Sequence, residues 1–214
     1  MDNNKAKTTR TVAIVATAIL IIDQLVKILV KTNMQIGEDI HILDWFHIHF
    51  IENMGFAFGI SFGGTAGKLL LTTVRLAASI LIVWIISRLI RNDGRRSLIY
   101  CLTLIVAGAL GNLIDSCFYG LIFSESYYSV ATLFPAGGGY GNFMQGRVVD
   151  MFYFPLFEFD WPQWMPFVGG RHFEFFNAIF NVADAAITIG VVWLAIDQLF
   201  LAPKTNSNEK KKRQ

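Results

Sequence analysis

Two short stretches of the 214-residue chain repeat one spacing of polar residues inside apolar sequence: Asn112-Leu113-Ile114-Asp115 and Asn181-Val182-Ala183-Asp184. Residues three apart share a helix face, so each stretch presents a carboxamide beside a carboxylate. Asp23 and Lys27 close another apolar run, Asn53 follows an aromatic stretch, and Asp150 lies between Val148-Val149 and Met151-Phe152. Ionisable groups at membrane depth are costly and mark function. Carboxylates gathered in a low dielectric raise one another's pKa, so one stays protonated beside an ionised neighbour. Such a pair can hydrolyse a peptide bond: one carboxylate takes a proton from water, the other donates to the scissile carbonyl oxygen. The residues by themselves leave both Asp115 and Asp150 open as partner of Asp184. A buried polar network that joins helices is the other reading of the same cluster.

The elements that must position these groups are long and apolar. Hydrophobic residues make up 54% of the chain and charged ones 16%, with a mean hydropathy of +0.47, which points to a membrane protein. Four runs, about 11–30, 68–90, 97–119 and 177–201, are long enough to span. The first lacks the small-residue cleavage site of a secretory signal. Between the first two runs, Trp45-Phe46-His47-Ile48-His49-Phe50-Ile51 reads as a short interfacial strand. The expected fold is an all-α membrane protein: a four-transmembrane-helix bundle with a small β-strand element and a loop or helix lid on the outer face. Residues 1–203 form a single membrane domain, and 204–214 form a basic tail.

Orientation follows from Lys and Arg in the flanks. Lys5, Lys7 and Arg10 precede the first run, Arg88, Arg91, Arg95 and Arg96 surround the middle link, and Lys204 leads the basic tail. These regions belong on the cytoplasmic side with both termini. The two remaining loops face outward, and the costly Asp and Asn residues then collect at one depth near the outer interface. The tail serves as a topology signal and lipid-headgroup contact; no folded basic surface suggests nucleic acid.

Other chemistries find less support. Cys101 and Cys117 share one helix and, at roughly 1.5 Å per residue, stand too far apart for a disulfide. His47 and His49 share a strand face, but no third ligand at metal-site spacing accompanies them. There is no G-x-S-x-G or H-E-x-x-H motif, and Gly137-Gly138-Gly139 lacks the Lys of a phosphate loop. From another functional class, a proton- or ion-coupled transporter subunit would also place Asp residues in helices. It would favour broken helices at the midplane and internal repeats.

Five segments in order resemble the lipoprotein signal peptidases (signal peptidase II), the membrane aspartyl peptidases of bacteria. They are Asp23-Gln24-Leu25-Val26-Lys27, Asn53-Met54-Gly55-Phe56-Ala57-Phe58-Gly59, Gly111-Asn112-Leu113-Ile114-Asp115, Val148-Val149-Asp150 and Phe180-Asn181-Val182-Ala183-Asp184. The resemblance implies an endopeptidase of the bacterial inner membrane. It would remove the signal peptide of diacylglyceryl-modified prolipoproteins by cutting before the lipidated cysteine, at the outer interface. It places the catalytic dyad on Asp150 and Asp184. Supporting positions fall on Asp23, Lys27, Asn53, Gly55, Gly111, Asn112, Asp115 and Asn181. No metal or organic cofactor is implied, membrane lipid is the surrounding partner, and a monomer suffices. Two departures stand out. Ser116 follows Asp115 where the family carries Arg, and an insertion separates Gly120 from Gly146. Arg147, just before Val-Val-Asp, is expected to take over the missing Arg's role.

Overall fold

A computed structural model of the chain describes residues 3–54 and 64–201. Gly55 lies outside the described residues. The order is α1 (Asn3–Asn33), β1 (Asp39–Leu43), β2 (Phe46–Asn53), α2 (Gly64–Arg91), α3 (Arg96–Ile114) and, after a π-helical turn (Asp115–Tyr119), the short α4 (Gly120–Ile122). There follow β3 (Val148–Tyr153), β4 (Phe157–Asp160), β5 (His172–Phe175), β6 (Ile179–Phe180) and α5 (Val182–Ile196), which ends in a second π-helical turn (Asp197–Leu201).

Among the described residues, four helical segments are long and apolar enough to cross a membrane: Asn3–Asn33, Gly64–Arg91, Arg96–Ile122 and Val182–Phe200. Each falls on an expected run. Their outward faces carry exposed Leu29, Leu70, Ile80 and Val192, the surface that a hydrocarbon solvent requires. The last helix starts later than the hydropathy pattern suggests. Phe180 pairs with Phe152 across strands, and Asn181 is extended and caps α5 by accepting the Asp184 N–H. Capping chemistry, not hydropathy, sets that boundary.

α3 occupies the centre, packed on α1, α2 and α5. Gly108 and Gly111 permit the close approach: a Cβ on Gly108 would overlap the Ala183 carbonyl oxygen, and one on Gly111 would lie 2.7 Å from an Asp23 carboxylate oxygen. Both contacts are too short for a real methyl group, so the bundle needs glycine at these two positions.

The part that joins the helices holds more sheet than the one short strand expected. β1, β2, β3 and β6 form an antiparallel sheet in that order, and β4 pairs with β5 in a separate hairpin. The first four residues of β3 are all buried. A strand covered on both faces shows no alternation, so the pattern of its sequence does not announce it. Phe50, Val149 and Met151 of the sheet pack with Val30 of α1, Met34 just past its end, Tyr119 of the π-helical turn and Phe123 just past α4. The insertion folds back onto this end of the bundle: Ala131 joins the same core and Phe123 bridges to Leu133. Cys101 and Cys117 are buried free thiols.

Candidate active site

Five elements bring their polar residues to one place where the sheet meets the helices. Asp150 arrives on β3, in the pairing Ile51↔Asp150 with β2. It is 2% exposed. Its carboxylate accepts hydrogen bonds from Asn53 Nδ2 and, at 2.6 Å, from Asn181 Nδ2. Asp184 stands in the first turn of α5 and is only half-buried. It accepts from Asn112 Nδ2 at 2.8 Å. Asn181 Nδ2 also donates to Asn112 Oδ1 at 3.1 Å, while its own Oδ1 receives the Asp184 N–H at 2.9 Å. Asn181 and Asn112 therefore form a carboxamide bridge from one carboxylate to the other. Both N-x-x-D stretches meet there, as their shared spacing predicts.

Burial drives the Asp150 carboxyl well above the ordinary carboxylate range, and the charge of nearby Asp184 adds to this. Lys27 and the Asn181 hydrogen bond pull the other way but are outweighed. The result is a buried acid that gives up its proton less readily than an ordinary carboxyl, beside a second, half-buried one.

A second layer fixes this pair. Lys27 of α1, fully buried, bridges Asp23 at 2.9 Å and Asp115 at 2.8 Å and donates to Asn112 Oδ1 at 2.8 Å. Gln24 donates to Asp23, the Gly111 carbonyl and Asp115, at 3.1, 3.2 and 2.9 Å. Tyr119 in turn donates to Gln24 Oε1 at 3.1 Å. Asp23 Oδ1 accepts the Ala183 N–H at 2.8 Å, and Asp115 Oδ2 accepts the Val149 N–H at 3.3 Å. Asp23 thus holds the start of α5 and Asp115 holds β3, each next to a residue of the pair. Asp115 lies at the first residue of the π-helical turn, an irregularity often found at functional sites. The two partners that the sequence left open differ in setting: Asp115 is ion-paired to Lys27, whereas the Asp150 carboxyl accepts from the Asn53 and Asn181 amides.

Arg147 has a different setting from the one expected. Its guanidinium pairs with Glu52 and Glu125 and lies over the rings of Tyr140 and Tyr127, at 4.7 and 5.0 Å. Glu52 also binds Lys31, and Ser126 donates to Glu52 at 3.0 Å. The insertion supplies Glu125, Ser126, Tyr127 and Tyr140, so its role here is to clamp the start of β3. The cation at Ser116 is Lys68 of α2, which donates to Ser116 Oγ at 3.1 Å and to the Met54 carbonyl at 3.0 Å. Its charge reaches Asp115, and that of Arg75, about two turns along the same face of α2, reaches Asp184, Asp150 and Asp115. Sequence reasoning missed Lys68, Arg75 and Gln24. A charged residue inside an apolar run was the available signal for Lys68 and Arg75.

The substitution of roles is testable. Lys68→Met is expected to slow cleavage by about tenfold, a loss of roughly 1.4 kcal/mol at the transition state. Lys68→Arg should keep most of the rate, and adding Ser116→Arg to Lys68→Met should recover it. Arg147→Ala should lower the melting temperature more than the rate. Steady-state cleavage and thermal unfolding of the four variants decide this, and a Lys68→Met protein as fast as the parent refutes it.

Four membrane-crossing helices under a small sheet, with two bridged carboxyls at their junction, define a membrane peptidase of the paired-aspartate class. The profile described as Signal peptidase (SPase) II matches residues 15–200. The chain is 46% identical over 188 residues to a lipoprotein signal peptidase of Porphyromonas gingivalis, covering 87% of this chain and 82% of the relative. It is 36% identical to one from Amoebophilus asiaticus, covering 86% and 75%. A structure titled as a bacterial membrane enzyme solved by the in meso method aligns over 92% of this chain and 90% of its own, with a TM-score of 0.58 and 25% identity. The chain belongs to the signal peptidase II family. It is a protease of lipoprotein processing and a bacterial membrane protein, and its substrate is a prolipoprotein.

Proposed function

We propose that Asp150 and Asp184 form the catalytic dyad of an endopeptidase that cuts before the diacylglyceryl cysteine of prolipoproteins. The observation that carries this is the carboxamide bridge: Asn181 and Asn112 hold the two carboxyls in one hydrogen-bonded chain. Asp184, half-buried, takes a proton from the attacking water. Asp150, buried and protonated, donates to the carbonyl oxygen as the tetrahedral intermediate forms. The Asn53 amide and the Asn181 amide fix the Asp150 carboxyl, so proton transfer needs no reorganisation of the acid. The protein works as a monomer, since all five contributing elements come from one chain. Its termini lie in the cytoplasm and the dyad at the outer face, with lipid against the exposed helix faces. This follows the basic flanks.

The reaction needs Asp150 protonated, so raising the pH through its titration removes the acid and the rate falls. Burial has moved that titration upward. The alkaline limb of the rate profile is therefore expected well above the ordinary carboxylate range, and the two limbs belong to the coupled pair. A kcat/KM profile on a lipidated precursor, from about pH 5 to about pH 9, tests this. A profile flat across that interval removes Asp150 from the acid's role. Side by side, a non-lipidated precursor should be cut poorly or not at all; equal cleavage of both would refute the lipid requirement.

A further inference from the structure

The β1–β2 hairpin gathers residues that the peptidase does not use. Antiparallel pairing sets His41 opposite His47 and Asp39 opposite His49. Successive side chains of a strand alternate between faces, so all four stand on one face. The sequence showed only two histidines on one strand; pairing with β1 supplies the third and fourth groups. His41 Nε2 lies 3.0 Å and His47 Nδ1 3.1 Å from the same Asp39 oxygen, Oδ2. His49 Nδ1 lies 3.6 Å from Asp39 Oδ1. The rings of His41 and His47 stack at 3.8 Å.

We infer that Asp39, His41 and His47, with His49 as a fourth donor, form a binding site for a divalent transition metal of the zinc class. The donor set is the first reason. Neutral imidazole with one carboxylate suits zinc and its neighbours and does not suit magnesium or calcium. Convergence is the second: one ligand atom from each of Asp39, His41 and His47 lies within 4.8 Å of the other two. Ligands about 2.0–2.1 Å from a tetrahedral zinc stand roughly 3.3 Å apart, close to the spacings here. Rigidity is the third. The donors stand on two paired strands, and Tyr153 of β3 meets the rings of His47 and His49 edge-on, at 5.7 and 6.1 Å. Tyr153 is anchored in turn by its hydroxyl on Glu174. His41 is mostly exposed, which leaves an entry path.

The site is separate from the dyad. His47 and Asn53 stand at opposite ends of β2, roughly 20 Å apart along an extended strand. Bound metal would staple the edge strand β1 to β2. This inference stands apart from the catalytic reading, and its test does not depend on activity.

The experiment uses the whole protein in detergent, purified without a polyhistidine tag and stripped with chelator. Zn²⁺ is titrated against a chromophoric competitor, and Co²⁺ absorption reports the coordination. The expected result is one saturable Zn²⁺ per chain, a tetrahedral Co²⁺ spectrum, and a rise in melting temperature on adding Zn²⁺. The His41→Ala/His47→Ala variant should bind at least tenfold more weakly and lose the thermal shift. His172→Ala removes a histidine that meets Asp160 and Glu158 on the β4–β5 hairpin; it should change neither result. If the paired variant keeps full affinity, if His172→Ala abolishes binding, or if no saturable site exists, the inference is overturned and Asp39 is a hydrogen-bond acceptor only. Circular dichroism of the variants separates lost ligands from lost fold.

Discussion

Asp150→Asn and Asp184→Asn are each expected to abolish cleavage of a lipidated precursor, by roughly 10²–10⁴-fold or more, while the protein still accumulates in the membrane. The two substitutions differ in what else they do. Asp150 is buried with its carboxyl held protonated, because burial and the charge of Asp184 outweigh Lys27 and the Asn181 amide. In the native state it binds a proton that the unfolded chain has released. Stability therefore falls as pH rises from the unfolded pKa, about 3.9, towards the raised native value. Asparagine keeps the shape and cannot ionise. The Asp150→Asn protein should thus melt no lower than the parent at neutral pH, and its melting temperature should decline less over that window. Thermal scans in detergent at several pH values, run with the cleavage assay, read both effects. An inactive protein whose melting temperature drops sharply would show that Asp150 serves the fold instead.

Lys27→Met is expected to cause a large loss of stability. Its ammonium lies between Asp23 and Asp115, all three fully buried. Removing one partner of a buried ion pair costs roughly 3–5 kcal/mol, because the charge left behind has no water. Here two carboxylates are left behind. They hold the Ala183 and Val149 amides, so disorder reaches both α5 and β3. Little protein should accumulate, and what does should melt well below the parent. The triple variant Asp23→Asn/Lys27→Met/Asp115→Asn removes the charges together and keeps side chains that can accept both amides. It should recover most of the stability, and, if the triad acts through positioning, part of the activity. Membrane abundance and melting temperature of the two variants give the answer. A Lys27→Met protein as stable as the parent contradicts this account.

Much of the bundle was readable from sequence because lipid imposes a simple rule: long apolar runs span. The four helices fall on those runs, with errors at their ends where local chemistry intervenes. Asn181 is the clearest case, since a cap breaks the helix inside an apolar run. The two N-x-x-D stretches and Asp23 were visible as costly residues at one depth. Asp150 was visible as a residue but not as a strand position, because β3 is apolar on both faces and its neighbours come from distant segments. The choice of Asp150 over Asp115 rested on resemblance; the ion pair of Asp115 with Lys27, remote in sequence, was not legible. The partners of Arg147 were hidden for a related reason. Its position before Val-Val-Asp was plain, but Glu52 and Glu125, which hold it, are remote in sequence. Lys68 could be matched to Ser116 only once α2 was seen to pass beside α3.

The bond from Asp23 to the Ala183 amide has a consequence for biogenesis. A ribosome delivers α1 first and α5 last, so this clasp between the first and final spans closes only when insertion is complete. Asp184, the next residue along, enters the site at the same moment. On the proposed dyad, a nascent or interrupted chain holds Asp23, Asp115 and even Asp150 without possessing a working pair. Hydrolytic power is thereby withheld until the polypeptide has been threaded to its last crossing, and an unfinished copy poses no danger to the precursors around it.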